Sequence, residues 1–397
     1  QVSFTDIPTR GFTELNLRKS LPSFLVCSLF LLSFSANAEL SIQITQGSDN
    51  PIPIAVVPFS WQGNGVLIED ISQIVMNDLE QVGEFSPLSR SNMLSMPSEE
   101  QEVFYSDWRI LAQDYLLVGK IDRTPGSQLV QVQYEFFDIN REIKLAGEVL
   151  TGSVTQLRDI AHEISNVVFE QVTGTRGAFT SQILYVVADY MNPERTNFRL
   201  EKADYDGQRA QILLESVEPI MSPSWSPTGR DVAYVSFETD LPRIYIQNIA
   251  TGDRRQITNY PNLNSSPEWS PDGTKLAMVL SKDGSPDIYV QDLTTNELIR
   301  VTDHPLIDTE PSWTADSRSI VFMSERTGQP QIYQIELGAS SFNVERLTYE
   351  CFQCLNAKFM PDGVNLVHVR RETRQDPNYQ IAVLNIETLR VITLTNT

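Results

Sequence analysis

The chain has 397 residues, with 30 lysines and arginines against 51 aspartates and glutamates, a formal charge of −21, and only three cysteines and three histidines. At ~100–200 residues per domain this length predicts two or three domains, and 41% apolar residues exclude a wholly disordered chain. So acidic a protein lacks the basic footprint that nucleic acid or an anionic membrane surface requires. Three cysteines are too few for a disulfide scaffold, and three histidines leave little for a His-rich metal centre.

Residues 1–38 read as a targeting segment. Arg18 and Lys19 precede an apolar run from Leu21 to Phe34, and Ala36-Asn37-Ala38 places small residues before a cleavage between Ala38 and Glu39. The run is shorter than the ~20 apolar residues of a membrane span. Cys27 lies inside it without the small residues that precede a lipidated cysteine. No methionine occurs before Met76, so the translation start is expected to be misplaced or non-standard. Cleavage would remove Arg10, Arg18, Lys19, Asp6 and Glu14 and leave a charge of −22. With no second long apolar run, the product is expected to be soluble after export.

Residues 39–178 are predicted to form an α/β domain. Ile54–Phe59 reads as a buried strand. Ile68–Val82 has helical apolar spacing, with Gly83 as a stop. Ser106–Gln113 reads as a short capped helix, and Tyr115–Asp122, Leu129–Asp138 and Ile143–Gly152 as strands of one sheet. Thr155–Thr173 is a second long helix, with Leu157, Ile160, Ala161, Ile164, Val167, Val168 and Val172 on one face and His162 on the polar side. It ends at Gly174. Strands with two covering helices suggest a layered domain, and Thr175–Thr180 reads as the linker.

Residues 179–397 repeat. Four segments align: Ser222-Pro-Ser-Trp-Ser-Pro-Thr-Gly229, Ser266-Pro-Glu-Trp-Ser-Pro-Asp-Gly273, Glu310-Pro-Ser-Trp-Thr-Ala-Asp-Ser317 and Asn356-Ala-Lys-Phe-Met-Pro-Asp-Gly363. The aromatic anchors Trp225, Trp269, Trp313 and Phe359 are spaced by 44, 44 and 46 residues, within the propeller range. Pro271-Asp-Gly273 is a tight turn between a strand ending near Trp269 and a buried strand Leu276–Leu280. Turns at 282–286 and 294–297 then give four antiparallel strands, one blade. The tryptophans are expected to pack between blades. A further strand pair, Ile183–Ala188 and Arg199–Asp204, has no Trp strand before it, and Tyr379–Asn385 with Val391–Thr395 closes the last unit. Either the ring is five-bladed with one incomplete blade, or about one repeat of ~44 residues is missing at the C-terminus; the second is the expectation.

Catalytic patterns are scarce. Gly63-Asn-Gly65 begins a dinucleotide fingerprint, but the third glycine position is Ile68. No phosphate-binding Gly-Lys-Ser/Thr loop, Gly-x-Ser-x-Gly elbow or sialidase box occurs. His304 falls in a loop and His368 in a strand, scattered rather than clustered. Cys351-Phe-Gln-Cys354 reads as a disulfide formed after export or as a redox or metal half-site. The disulfide is favoured, because no second such pair and no thioredoxin-like surroundings exist. No cofactor, metal or catalytic residue is expected.

The leader, the segment Pro51-Ile-Pro-Ile-Ala-Val-Val-Pro-Phe-Ser-Trp-Gln-Gly63, Thr173-Gly174-x-x-Gly177-Ala-Phe179 and the Ser-Pro-x-Trp-Ser-Pro-Asp-Gly units together resemble the TolB family. These are periplasmic components of the Tol-Pal cell-envelope system of Gram-negative bacteria. The resemblance covers about 39–397. It implies a six-bladed propeller and a non-enzymatic, monomeric scaffold linking inner-membrane TolA to the outer-membrane lipoprotein Pal, in support of envelope integrity and constriction at division. Membrane contact would come only through partners. Loops entering the Trp strands are expected to cluster at one channel mouth, with Met221, Ser222, Leu263, Asn264, Ser265, Ile307, Asp308, Thr309, Glu310, Gln353 and Asn356. In the family this mouth receives Pal. The alternating segment Glu39, Leu40, Ser41, Ile42, Gln43, Ile44 can pair with a partner's sheet edge, and in the family it binds TolA. The rival classes are a propeller hydrolase or lyase with carboxylates in the channel, which no motif supports, and a generic exported propeller scaffold.

Overall fold

The computed structural model describes residues 50–61, 63, 65–123, 127, 129–190, 196–338 and 343–395. The leader, the cleavage site at Ala38 and Glu39, and the candidate TolA segment Glu39–Ile44 lie outside these.

Strand β1 (Ile52–Val56) opens the α/β part, followed by β2 (Ser60–Trp61), helix α1 (Ile71–Gln81), β3 (Phe85–Pro87), α2 (Tyr105–Ile110), β4 (Tyr115–Arg123), β5 (Leu129–Asp138), β6 (Ile143–Ser153) and α3 (Leu157–Thr173). The sheet order is β3-β1-β4-β5-β6, with β2 also on β4. The pairings of β1 and β2 are parallel; β4, β5 and β6 run antiparallel. The apolar run at Ile54 is continuous because both sheet faces are covered. Ile54 and Val56 join the core beneath α1 and α3, whereas Ala55 and Val57 pack with Trp108 of α2.

Two helix boundaries differ from expectation for local reasons. Helix α1 begins at Ile71 because Asp70 caps it, accepting from the Gln73 amide at 3.0 Å. Helix α2 has no side-chain cap at its start, Phe104, and Ser106 lies inside it. Helix α3 ends where expected, at Gly174 with φ +75°.

Among the described residues the propeller comprises five sheets. Blade one is β7 (Gln182–Asp189), β8 (Asn197–Asp204) and β9 (Gln211–Ser216). Blade two is β10 (Ile220–Trp225), β11 (Asp231–Ser236), β12 (Arg243–Asn248) and β13 (Arg254–Gln256). Blade three is β14 (Asn264–Trp269), β15 (Lys275–Leu280), β16 (Asp287–Asp292) and β17 (Leu298–Arg300). Blade four is β18 (Asp308–Trp313), β19 (Ser319–Ser324), β20 (Gln331–Glu336) and β21 (Val344–Arg346). Blade five is β22 (Gln353–Phe359), β23 (Asn365–Arg371), β24 (Gln380–Asn385) and β25 (Val391–Thr393). Blade one has three strands and the others four, all antiparallel meanders.

Each aromatic anchor packs against the blade before it. Trp269 meets Ala233 and Val235 of blade two, and Trp313 meets Ala277 and Val279 of blade three. Trp313 Nε1 also donates to the Glu268 carbonyl at 3.0 Å.

The turn after each anchor is held by its own side chains. At Ser270–Gly273 the Gly273 amide donates to the Ser270 carbonyl at 2.8 Å, with Gly273 at φ +72°. Burial raises the Asp272 pKa, but hydrogen bonds from Ser270 and Thr274 outweigh it and bring it from 3.8 to about 2. A depressed carboxylate adds stability above its unfolded pKa, lost as pH falls through the folded one. Asp272→Asn should therefore destabilise most above pH ~4, and the gap should close by pH ~2. Acid titrations followed by circular dichroism compare the two; a gap independent of pH would contradict this origin.

The α/β part and blade one meet at a buried junction. Asp78 of α1, 1% exposed, accepts at Oδ2 from His162 Nδ1 (2.8 Å) and Ser165 Oγ (2.6 Å), both on α3. At Oδ1 it accepts from the hydroxyl of Tyr205, just beyond β8, at 2.5 Å. His162 is thus buried between the helices rather than on a polar face, because its partner makes burial tolerable. Around this core Arg158 pairs with Asp206 and lies 3.5 Å from Asp204, and Arg209 bridges Asp204 and Asp159. The linker is pinned as well. Phe179 is buried against Phe169 and Tyr205, and its amide donates to Asn166 Oδ1 at 3.0 Å.

Candidate functional site: the propeller channel and its mouth

The first strands of blades two to five are β10, β14, β18 and β22, and they carry the expected mouth residues except Leu263 and Ile307, which lie just before β14 and β18. Those segments are not loops: Met221 and Ser222, Asn264 and Ser265, Asp308 to Glu310, and Gln353 to Asn356 all lie within strands. Each strand is interrupted by a bulge, where register shifts between Met221 and Ser224, Ser265 and Glu268, Thr309 and Ser312, and Leu355 and Lys358. At the same place in every bulge one non-glycine residue has positive φ: Ser222 (+49°), Ser266 (+49°), Glu310 (+55°) and Asn356 (+49°). Such a backbone costs of order 1–3 kcal/mol, and it persists where the surrounding structure imposes it.

These four residues line one cavity of about 360 Å3, together with Pro223, Pro267, Glu268, Pro311 and Lys358. The chemistry inside is polar. Lys358 Nζ pairs with Glu268 Oε1 at 2.5 Å, Ser224 Oγ donates to Glu268 Oε2 at 3.2 Å, and the Asn356 amide donates to Glu310 Oε2 at 2.6 Å. The first of these links the non-adjacent blades three and five, and the other two link neighbouring blades two and three, and four and five. Where these strands begin, exposed apolar side chains stand out: Met221 on β10, Leu306 and Ile307 just before β18, and Tyr379, bonded to Gln353 at the start of β22. A polar pocket with an apolar rim suits a protein segment that brings both hydrogen-bond donors and apolar contacts.

The expected residues divide by burial. Met221, Ser222, Ile307 and Asn356 are exposed, and Leu263, Ser265, Thr309, Glu310 and Gln353 are partly buried. Asn264 and Asp308 are fully buried: Asn264 donates to the carbonyls of Tyr260 and Asn262 while its Oδ1 has no hydrogen-bond partner, and Asp308 holds both oxygens on Arg326. Neither lines the cavity. Glu268 and Lys358 went unnoticed in the sequence. Their signal was available, because the position between Pro or Ala and the aromatic anchor reads Ser224, Glu268, Ser312, Lys358, changing where its neighbours repeat.

Cys351 and Cys354 are joined as a disulfide beside the start of β22. Among the described residues, Asp78, His162 and Asp206 form the group whose ligand atoms approach closely enough for a metal. Asp78 already accepts three hydrogen bonds and Asp206 is paired with Arg158, so the group serves as the interdomain junction.

The family profile described as the TolB beta propeller domain matches residues 169–397, and that of the TolB amino-terminal domain matches 40–145. The chain belongs to the TolB family. The Tol-Pal system protein TolB of Pseudomonas fluorescens SBW25 is 44% identical over 250 residues, 63% of this chain and 57% of that protein. The Pseudomonas aeruginosa PAO1 protein of the same name is 46% identical over 239 residues, 60% of this chain and 55% of its own length. This chain thus spans little more than half the length of the curated relatives it matches. The crystal structure of TolB from Acinetobacter baumannii superposes with a TM-score of 0.80 at 33% identity, covering 89% of this chain and 85% of that one. The TolB fold, an α/β part followed by a propeller, is the fold described above. Among the described residues no helix is long and apolar enough to cross a membrane.

Proposed function

We propose that this TolB-family chain is a non-enzymatic protein-interaction scaffold of the Tol-Pal system, working in the periplasm between Pal and TolA. The propeller, residues 179–397, takes a segment of the lipoprotein Pal at its mouth. The N-terminal part, residues 39–178, engages TolA through Glu39–Ile44. By holding both partners the protein supports outer-membrane integrity and invagination during division. The mouth carries the reading: four strained first-strand residues face one polar cavity of about 360 Å3 under an apolar rim, and strained backbone collects at ligand sites. The Tol-Pal name of the relatives supports the choice of partners.

Calorimetry with the lipid-free soluble domain of Pal tests it. Met221→Asp combined with Glu310→Lys should weaken binding at least ~30-fold, the effect of losing an interface anchor worth about 2 kcal/mol. Deleting 39–46 should abolish TolA binding and leave Pal binding intact. Unchanged Pal affinity in a folded double variant, or equal loss of both partners on deletion, would overturn the assignment.

A further inference from the structure

The Cys351–Cys354 pair has surroundings that a passive staple would not need. Closing so short a segment removes little chain entropy, so this bond is among the weakest stabilisers a disulfide can be. A second cavity, of about 70 Å3, lies between blades four and five and is lined by both cysteines with Tyr349, Glu350, His368 and Arg370. Access to the two residues is unequal: Cys354 is 1% exposed and Cys351 is partly exposed. Arg370 is 6% exposed and stands opposite Cys354 in the β22–β23 register; its Nη2 donates to the Glu350 carbonyl at 3.0 Å and lies 3.6 Å from the carboxylate of Glu372, and its Nε has no hydrogen-bond partner. Burial, with Arg370 beside it, holds the His368 imidazole below its ordinary pKa. Arg370 is therefore the cation of this cavity.

The bond also governs the mouth. It ties Cys351, just before β22, to the second residue of that strand. Gln353 between them accepts from the Tyr379 hydroxyl at 2.7 Å and donates to Gln329 Oε1 at 3.3 Å. Gln331 Nε2 holds the Cys351 and Phe352 carbonyls at 3.1 and 3.3 Å.

We propose that Cys351–Cys354 is a thiol–disulfide exchange site that sets the shape of the propeller mouth. The thiolate of a small thiol attacks Cys351 Sγ, the sulfur on the more exposed residue. The Cys351–Cys354 bond breaks, its electron pair leaves on Cys354 Sγ, and a mixed disulfide forms on Cys351. A second small thiolate attacks the small-thiol sulfur of that mixed disulfide and releases Cys351 as thiolate. The small thiol departs as its own disulfide, and the two cysteines take up the two protons that the small thiols gave up. Arg370 is a positioning residue for this step: its charge favours the Cys354 thiolate, and a better-stabilised thiolate leaves faster. Once reduced, Cys351 and Phe352 are released from Cys354, and Gln353 loses its fixed place at the rim.

The experiment equilibrates the full chain with reduced and oxidised glutathione, then alkylates free thiols and counts them by mass spectrometry. The pair should be half-reduced within glutathione ratios that reduce exchange-active Cys-x-x-Cys proteins, where structural disulfides resist. Arg370→Gln should make reduction about 10-fold less favourable in equilibrium constant, and Arg370→Lys, which keeps the charge, should restore it. A folded wild-type protein that stays oxidised throughout, or an Arg370→Gln protein with unchanged equilibrium, overturns the exchange site. Control of the mouth rests on the Pal reading above, and is measured as Pal binding by the oxidised form and by the Cys351→Ser, Cys354→Ser form. A difference of at least ~5-fold supports it, and equal binding overturns it. Binding by neither form would count against the Pal reading, while the glutathione equilibrium still decides the exchange chemistry.

Discussion

Asp78→Ala is expected to lower the stability of the chain by about 3–5 kcal/mol, the scale seen when one partner of a buried charged network is removed. The carboxylate is 1% exposed and accepts three hydrogen bonds, from His162, Ser165 and Tyr205. Truncation strands all three donors in a dry junction, and each unsatisfied buried group costs about 1–3 kcal/mol. Burial and the neighbouring Asp78 hold the Tyr205 hydroxyl well above its ordinary pKa, so it remains a donor throughout the accessible range. Asp78→Asn keeps the shape but turns an amide toward donors, and should fall between wild type and alanine. Urea unfolding measures this as a lower midpoint. A loss under 1 kcal/mol would mean that the junction is not closed in solution.

Trp313→Ala is expected to cost about 3–5 kcal/mol, the scale seen when a large core aromatic is truncated to alanine. The ring is 5% exposed, sits in the core shared by blades three and four, and donates to the Glu268 carbonyl. Removing it empties an inter-blade space and frees that carbonyl, on the residue whose side chain pairs with Lys358 of blade five. Trp225 is more exposed and its Nε1 makes no hydrogen bond, so Trp225→Ala should cost less. Equal costs would mean that blade–blade packing is uniform and that the Glu268 contact contributes nothing.

The blades were legible because their signals are local. An aromatic anchor, a tight turn and alternating strands recur every 44 to 46 residues, and each fixes structure within its own repeat. The channel was less legible because its geometry arises between repeats. Nothing local in Glu310-Pro311 marks a positive-φ bulge, and Asp308, two residues before the cavity-lining Glu310, turns instead to Arg326. His162 failed for the same reason. Taken alone it belongs to the polar side of α3, but Asp78 stands 84 residues earlier, beyond any periodicity argument. Thr175–Thr180 read only as a linker, yet Phe179 within it packs against Phe169 and Tyr205, contacts that no local pattern announces.

The four bulges also bear on how such a mouth could change over generations. Because the strand bulge imposes the backbone at Ser222, Ser266, Glu310 and Asn356, their side chains are free to differ, and a hydroxyl, a carboxylate and an amide already occupy equivalent places. Each is a socket in a shared frame, in which one substitution rewrites one contact and leaves the others in position. Recognition could then drift residue by residue while the ring that supports it stays the same.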